Sequence, residues 1–111
     1  MRKAGVGSLE LTVLLSVARL REDGYGLAIR RDVALRMGRD YSVGAIYTTL
    51  ERLQAKRLLT SRTTAPTPTR GGRARRLFSV TAAGHRTIHE ARNLTKAVWS
   101  GIGRPLSPSR A

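Results

Sequence analysis

The sequence predicts a mainly α-helical domain with one small β-hairpin, and three observations lead to this fold class. Apolar residues recur at steps of three and four in four separate segments, as in amphipathic helices. The stretch with strand-like composition is divided by a loop that is rich in proline and glycine. The length of 111 residues, with 41% hydrophobic residues, suits one domain with a single core.

The first helix is predicted to begin with Ser8 as its N-cap and with Glu10 in its first turn. Apolar residues cover most of the helix circumference from Leu9 to Leu20. A helix of this kind is buried on more than one side. We therefore expect it in the middle of the domain, with Leu11 also in contact with a second subunit.

The second and third helices form a helix-turn-helix pair. Gly24-Tyr25-Gly26 opens the second helix, and Gly38 is a suitable C-terminal stop. Ser42 is the predicted N-cap of the third helix. Its apolar stripe, which we expect in the core, consists of Val43, Ile46, Tyr47, Leu50 and Leu53.

The period then changes, and residues 59–64 and 75–80 are predicted to be two strands around a loop at 65–74. Thr81 is the predicted cap of a last helix at 82–102, along which apolar and small residues repeat at alternating steps of four and three. This seam predicts a homodimer whose interface contains Leu11, Ile88, Ala91, Leu94, Thr95, Val98, Trp99 and Ile102.

Four segments follow from this order of elements. Residues 1–7 are a flexible N-terminus, and residues 8–81 are a winged helix-turn-helix domain. Residues 82–102 are a C-terminal dimerisation helix, and residues 103–111 are a disordered tail. The complete prediction is therefore a winged helix-turn-helix plus a C-terminal dimerisation helix.

The formal net charge of +14 indicates a polyanionic partner, and double-stranded DNA is the first candidate. Eighteen of the 21 basic residues are arginine, which binds phosphate in a bidentate manner and can contact guanine edges. No acidic residue occurs from Arg52 to His89, where nine basic residues lie. Two alternatives remain: genomic base composition that favours arginine, and a solvated basic loop without a partner.

In a winged helix the third helix enters the major groove and the hairpin contacts the DNA backbone or the minor groove. Short side chains at the start of the third helix would let it approach the base edges, while arginines of the hairpin would contact phosphates. The predicted DNA-binding residues are Tyr41, Ser42, Ala45, Thr48, Thr49, Arg52, Arg70, Arg73, Arg75 and Arg76.

Three blocks of sequence resemble the PadR family of transcriptional regulators, in particular its smaller subgroup with a single C-terminal helix. They are Gly24-Tyr25-Gly26, the segment 44–53 (GAIYTTLERL), and Gly71-Gly72-Arg73 followed by 77–84 (LFSVTAAG). The resemblance implies a homodimer, a palindromic operator and repression that a small molecule usually relieves. Thr48 stands where the family often has proline, and Arg57 stands where it often has glycine, so the exit from the third helix is expected to differ.

Several other functions are disfavoured. The absence of cysteine excludes disulfides, thiolate metal sites and cysteine nucleophiles. His85 and His89 lie four residues apart but lack further evident ligands, so we predict no metal and no other cofactor. No catalytic triad or phosphate-binding loop is evident, and we do not expect an enzyme. Neither a signal peptide nor a membrane span is predicted, and we expect a soluble, cytoplasmic protein without a membrane partner.

The favoured hypothesis is a sequence-specific, homodimeric DNA-binding repressor. Trp99 lies beside the predicted seam, where it either packs in the interface or lines an effector pocket between subunits. In the second case Val13, Val17 and Trp99 would bind a small apolar or aromatic effector. The alternatives are a non-specific, nucleoid-type DNA-binding protein and a protein-interaction adaptor that does not bind DNA.

Overall fold

The computed structural model describes residues 7–64 and 74–102, and it confirms the predicted fold class. Within these ranges the chain forms four α-helices and one antiparallel hairpin. None of the described helices is long and apolar enough to cross a membrane. The elements are α1 (Ser8–Leu20), a 3-10 turn (Arg21–Asp23), α2 (Gly26–Met37), α3 (Val43–Ala55), β1 (Leu59–Thr63), β2 (Arg76–Val80) and α4 (Ala82–Trp99).

Two of the predicted helix caps are confirmed. Ser42 Oγ accepts a hydrogen bond from the backbone N–H of Ala45 at 3.0 Å, and this bond fixes the start of α3. Thr81 Oγ1 accepts one from the N–H of Gly84 at 2.9 Å and fixes the start of α4. Each hydroxyl satisfies a backbone donor that the first turn of a helix leaves unpaired.

The predicted cap of α1 is wrong. Gly7 occupies the N-cap position with an extended backbone, and Ser8 is the first helical residue. The backbone N–H of Gly7 donates to Glu10 Oε1 at 3.1 Å. A carboxylate within the first turn therefore replaces the hydroxyl that the sequence suggested, and its negative charge suits a helix N-terminus.

The hydrophobic core surrounds α1, which contacts α2, α3, α4 and β2. This central position agrees with the apolar circumference of the helix. Burying these side chains supplies the main favourable free energy of the fold. The fully or almost fully buried apolar residues are Val13, Leu14, Val17, Ile29, Val33, Ile46, Leu50, Leu53, Leu59 and Phe78.

One buried polar group connects α1 with α2. The hydroxyl of Ser16, which is completely buried, donates to Asp32 Oδ2 at 2.6 Å. The same carboxylate receives Arg19 at 3.1 Å and Arg36 at 3.7 Å. Because the buried hydroxyl has a partner, its desolvation is compensated. The pair sets the position of α2 along α1.

Helix α3 ends in a left-handed turn at Arg57, whose φ is +64°. The N–H of Leu58 donates to the carbonyl of Leu53 at 2.9 Å, and the N–H of Arg57 donates to that of Gln54 at 2.9 Å. These two bonds define a Schellman motif, which glycine normally closes. The chain thus keeps the turn itself and holds a non-glycine residue in it.

The hairpin pairs Leu59 with Val80 and Thr63 with Arg76, within one residue of the predicted strand ends. The segment before α2 adds a third, short edge. The N–H of Phe78 donates to the carbonyl of Gly24 at 2.9 Å. Next to this bond, Tyr25 and Leu77 form an isolated antiparallel bridge. The hairpin is therefore attached to the helix-turn-helix by backbone bonds.

Helix α4 is attached to the rest of the domain through its N-terminal half, in which Gly84 and Ile88 pack against the core. Gly84 is buried there, and a Cβ at this position would collide with the carbonyl of Leu58 and with Val80. The hydroxyl of Thr81 also donates to the carbonyl of Arg57 at 2.7 Å. Beyond residue 91 every described residue of α4 is exposed, and the helix ends at Trp99 rather than at 102.

Candidate nucleic-acid interface

Helix α3 has one face in the core and the opposite face in solvent. Ile46 and Leu50 are completely buried, whereas Gly44, Thr48 and Arg52 are exposed at intervals of four residues. The exposed face therefore begins with small side chains and continues with an arginine. Such a face can enter a major groove, which is about 12 Å wide, and bring a guanidinium to its edge.

The predicted contacts at the start of α3 are brought together. Ser42 is exposed and Ala45 is half-buried, and both lie in the first turn beside Gly44. The hydroxyl of Ser42 already accepts the cap bond, but its proton is free to be donated to a phosphate. Ser42, Thr48 and Arg52 are all exposed.

The predicted base contact through Thr49 is wrong. Its side chain faces the core and the residue is only 4% exposed. Its hydroxyl donates to the carbonyl of Ala45 at 2.8 Å within the helix. Thr49 lies three residues after Ile46 and four before Leu53, so helical geometry places it with the apolar stripe.

Three apolar residues near the starts of α2 and α3 are exposed, and the sequence placed two of them, Val43 and Tyr47, in the core. Leu27, Val43 and Tyr47 are 55%, 49% and 36% exposed. Together with Ile46 they line a notch of about 120 Å³ between the N-terminal ends of α2 and α3, and Arg30 borders it. Sequence periodicity missed them because the first turn of a helix can extend past the edge of the core.

The turn between α2 and α3 carries further cationic groups. The guanidinium of Arg39 lies over the ring of Tyr41, 4.5 Å from its centroid. Arg30 Nε donates to the carbonyl of Tyr41 at 2.6 Å. Tyr41, predicted to contact phosphate, is half-buried and is held between these two arginines.

In the described part of the hairpin, Arg75 lies at the loop end, directly before β2. Arg75 is exposed, and its guanidinium stacks on the ring of Tyr25, 4.5 Å from the centroid. This cation–π contact restricts the side chain while leaving its hydrogen-bond donors available. Arg70 and Arg73, which the sequence also assigns to DNA binding, lie outside the described residues.

Arg76 differs from Arg75 because its guanidinium is directed at α3. It donates to Glu51 Oε2 at 2.6 Å and to Gln54 Oε1 at 3.0 Å. Its Nε donates to Ser61 Oγ at 3.1 Å. With these donors engaged, Arg76 joins the hairpin to α3, whereas the sequence predicted a free side chain that binds phosphate.

Two carboxylates, Glu51 and Glu10, are neutralised by ion pairs with Arg76 and Lys56. The hydrogen bond from Arg76 and its positive charge lower the pKa of Glu51. Burial raises the pKa of Glu10, but hydrogen bonds from Lys56 and Gly7 outweigh burial and lower it overall. Both carboxylates stay ionised and paired. Among the described residues, no carboxylate lies within 4.0 Å of the Arg75 guanidinium.

A family comparison now decides the class of protein. The model of the transcriptional regulator PadR-like family matches residues 14–90, which is more than half of the chain. The chain belongs to the PadR-like family of transcriptional regulators. The match covers the helix-turn-helix, the hairpin and the first half of α4. A search of curated proteins by sequence finds no match.

Solved structures of other proteins, among them a PadR family transcription regulator, show the same fold. RosR of H. salinarum has a TM-score of 0.69 at 19% identity, covering 86% of this chain and 79% of that one. A PadR family transcription regulator from Clostridium difficile R20291 has a TM-score of 0.65 at 19% identity, covering 86% and 98%. BpsR of Bordetella bronchiseptica has a TM-score of 0.62 at 17% identity, covering 97% and 73%. At these identities the likeness concerns the fold alone.

The C-terminal helix of this PadR-family protein exposes most of its predicted interface. Val98 is 71% exposed, and four other predicted interface residues beyond Ala91 are exposed as well. Nearer the core, the predicted residues Leu11, Ile88 and Ala91 are half-buried. The exposed members are Leu94, Thr95, Val98, Trp99 and Ile102.

The predicted effector residues do not converge. Val13 is fully buried in the core of the subunit and is unavailable to a pocket between subunits, so its assignment is wrong. Val17 lines a cleft of about 420 Å³ between α1, the hairpin and the start of α4. Phe78, Arg62 and His85 also line this cleft, but Trp99 does not.

Proposed function

We propose that this protein is a sequence-specific transcriptional repressor that binds a palindromic operator as a homodimer. The observation that carries the proposal is the exposed face of α3, where Gly44, Thr48 and Arg52 follow one another. The side chains at the start of this face are short enough for the helix to approach base edges, and cationic side chains surround the face. Membership of a transcriptional regulator family supports the same conclusion.

In this proposal each group at the surface has a distinct role. Thr48 and Arg52 contact base edges, since a threonine methyl suits thymine and an arginine suits guanine. Ser42, Tyr41 and Arg75 contact phosphates and set the orientation of the domain on the duplex. Arg76 holds the hairpin against α3 through Glu51 and thereby positions Arg75 relative to the groove.

The exposed apolar end of α4 supports a homodimer. Side chains such as Val98 and Trp99 gain free energy when a second copy covers them. A two-fold axis would place two α3 helices on one face of the DNA, about 34 Å apart. Two-fold symmetry in the protein then requires two-fold symmetry in the operator.

The test is selection of DNA from a random pool by the purified protein, followed by competition with unrelated DNA. We expect a two-fold symmetric motif and a preference for it of about 10³-fold or more. A basic protein that binds all sequences equally would contradict the proposal and support the nucleoid-type alternative. A lack of salt-dependent binding would support the adaptor instead.

Three variants separate the roles. Arg75→Ala should weaken binding to all sequences and lower the salt slope by about one unit. Thr48→Ala should relax sequence preference with little change in that slope. Arg86→Ala is the matched control, since it removes an exposed arginine outside α3 and the hairpin. Equal losses for Arg75→Ala and Arg86→Ala would show that only total charge matters.

We also propose that a small aromatic molecule releases the repressor by binding in the cleft beside Val17. The printed description of BpsR says that 6-hydroxynicotinic acid regulates its DNA binding. This acid is a suitable first probe because the cleft combines Phe78 with Arg62 and His85. Operator affinity should fall when it is added, and Ser79→Trp, which fills the cleft, should remove the effect. Equal affinity of the probe for the free and DNA-bound protein would rule out release by this route.

A further inference from the structure

The notch between α2 and α3 is an apolar surface in an otherwise cationic region. Leu27 lies in the first turn of α2, and Val43 and Tyr47 lie in the first two turns of α3. All three are more than one-third exposed. Both helices begin beside the notch, and the N-terminal end of a recognition helix is the part that contacts base edges. A ligand of the notch would therefore lie at the proposed DNA surface.

The wall of the notch is held in place by packing. The ring and hydroxyl of Tyr47 lie directly against Gly26, where a Cβ would overlap them. Ile46, which forms the floor, is completely buried. Since these contacts fix Tyr47 from behind, the notch is a preformed concave site rather than a loose group of side chains.

The charge around the notch indicates an anionic partner. Arg30 borders it, and of this side chain only Nε is engaged, with the carbonyl of Tyr41 at 2.6 Å. Within the described residues, no carboxylate lies within 4.0 Å of the Arg30 guanidinium. Its terminal nitrogens can bind a phosphate. A partner that fits both features carries an anionic group beside a small apolar group.

We propose that the notch receives the C5-methyl group of a thymine in each operator half-site. That methyl is the apolar group that a standard base pair presents in the major groove. A notch of about 120 Å³ has room for it. Val43 and Tyr47 then determine specificity, in addition to Thr48 and Arg52. This inference rests on the proposed repressor function.

The test uses the operator recovered from the random pool, with each thymine replaced in turn by deoxyuridine. This replacement removes one methyl group and leaves base pairing unchanged. Losing one buried methyl should weaken binding about fourfold, and replacing both symmetric positions should weaken it about 16-fold. A thymine whose sensitivity depends on Val43 should occur once in each half-site.

A second variant assigns the effect to the notch. In Val43→Ala the same deoxyuridine position should lose most of its effect, as a double-mutant cycle would show. Leu35→Ala is the control, because Leu35 is an exposed leucine of α2 outside the notch and should leave the sensitivity intact. Val43 is half-exposed, so circular dichroism should show an unchanged fold.

The outcomes separate this inference from the function on which it rests. A recovered operator at which every deoxyuridine replacement is neutral would overturn the notch while leaving the repressor proposal intact. Sensitivity that persists unchanged in Val43→Ala would also overturn it. Failure to recover any motif would remove both proposals together.

Discussion

Replacing Arg57 with glycine should raise the stability of the protein by about 1 kcal/mol. Arg57 has a φ of +64°, which costs a residue with a Cβ roughly 1–2 kcal/mol relative to glycine. The greater freedom of glycine in the unfolded chain offsets about 0.5 kcal/mol of this gain. Both hydrogen bonds of the Schellman motif come from backbone groups, so they survive the change.

Thermal unfolding measures this effect directly. For a domain of this size, 1 kcal/mol corresponds to a rise of roughly 4–8 °C in Tm. Arg57→Ala is the matched control, because it removes the same charge and keeps the backbone cost, and it should remain within about 0.5 kcal/mol of the parent. Equal melting temperatures for the glycine and alanine variants would refute the argument that backbone strain at this turn limits stability.

Three further predictions concern other parts of the molecule. Glu10→Gln removes an ionised partner of Lys56 and should cost about 1 kcal/mol at pH 7. Folding lowers the pKa of Glu10, so its contribution to the free energy of unfolding is present above the unfolded pKa and is lost as pH falls through the folded pKa. Urea denaturation should therefore show a smaller difference between the parent and Glu10→Gln at pH 3 than at pH 7. Gly84→Ala should destabilise the protein by about 1–3 kcal/mol in urea unfolding, since its Cβ would overlap the carbonyl of Leu58; a neutral result would contradict the close contact. Val98→Glu should raise the dimer dissociation constant at least about 100-fold in sedimentation experiments, and an unchanged dimer would exclude this face of α4 as the interface.

Features that depend on neighbouring residues could be predicted from the sequence. Ser42 and Thr81 act as helix caps because their hydroxyls reach a backbone donor three residues later. The strands follow from local composition, and the family resemblance follows from three short blocks. The buried position of Thr49 was also within reach, since its spacing from Ile46 and Leu53 matches the helical period.

Features that depend on distant residues could not be predicted. Arg76 and Glu51 are 25 positions apart, and only the folded hairpin brings them to 2.6 Å. A run of arginines without nearby acidic residues therefore suggested a free side chain where the structure has an ion pair. The exposure of Val43 could not be predicted either. Periodicity assigns a residue to a helix face but does not show where the core ends along the helix axis.

The contacts of α4 with the rest of the domain lie in its N-terminal half, so residues 92–99 extend away from the core. The 18 residues of α4 extend about 27 Å, whereas the contact with the carbonyl of Leu58 lies in its first turn. A tilt of about 10° at Gly84 would displace Trp99, which lies about 22 Å further along the helix, by roughly 4 Å. Conversely, a partner bound to residues 92–99 would act on the orientation of the helix-turn-helix through the contacts at the start of α4.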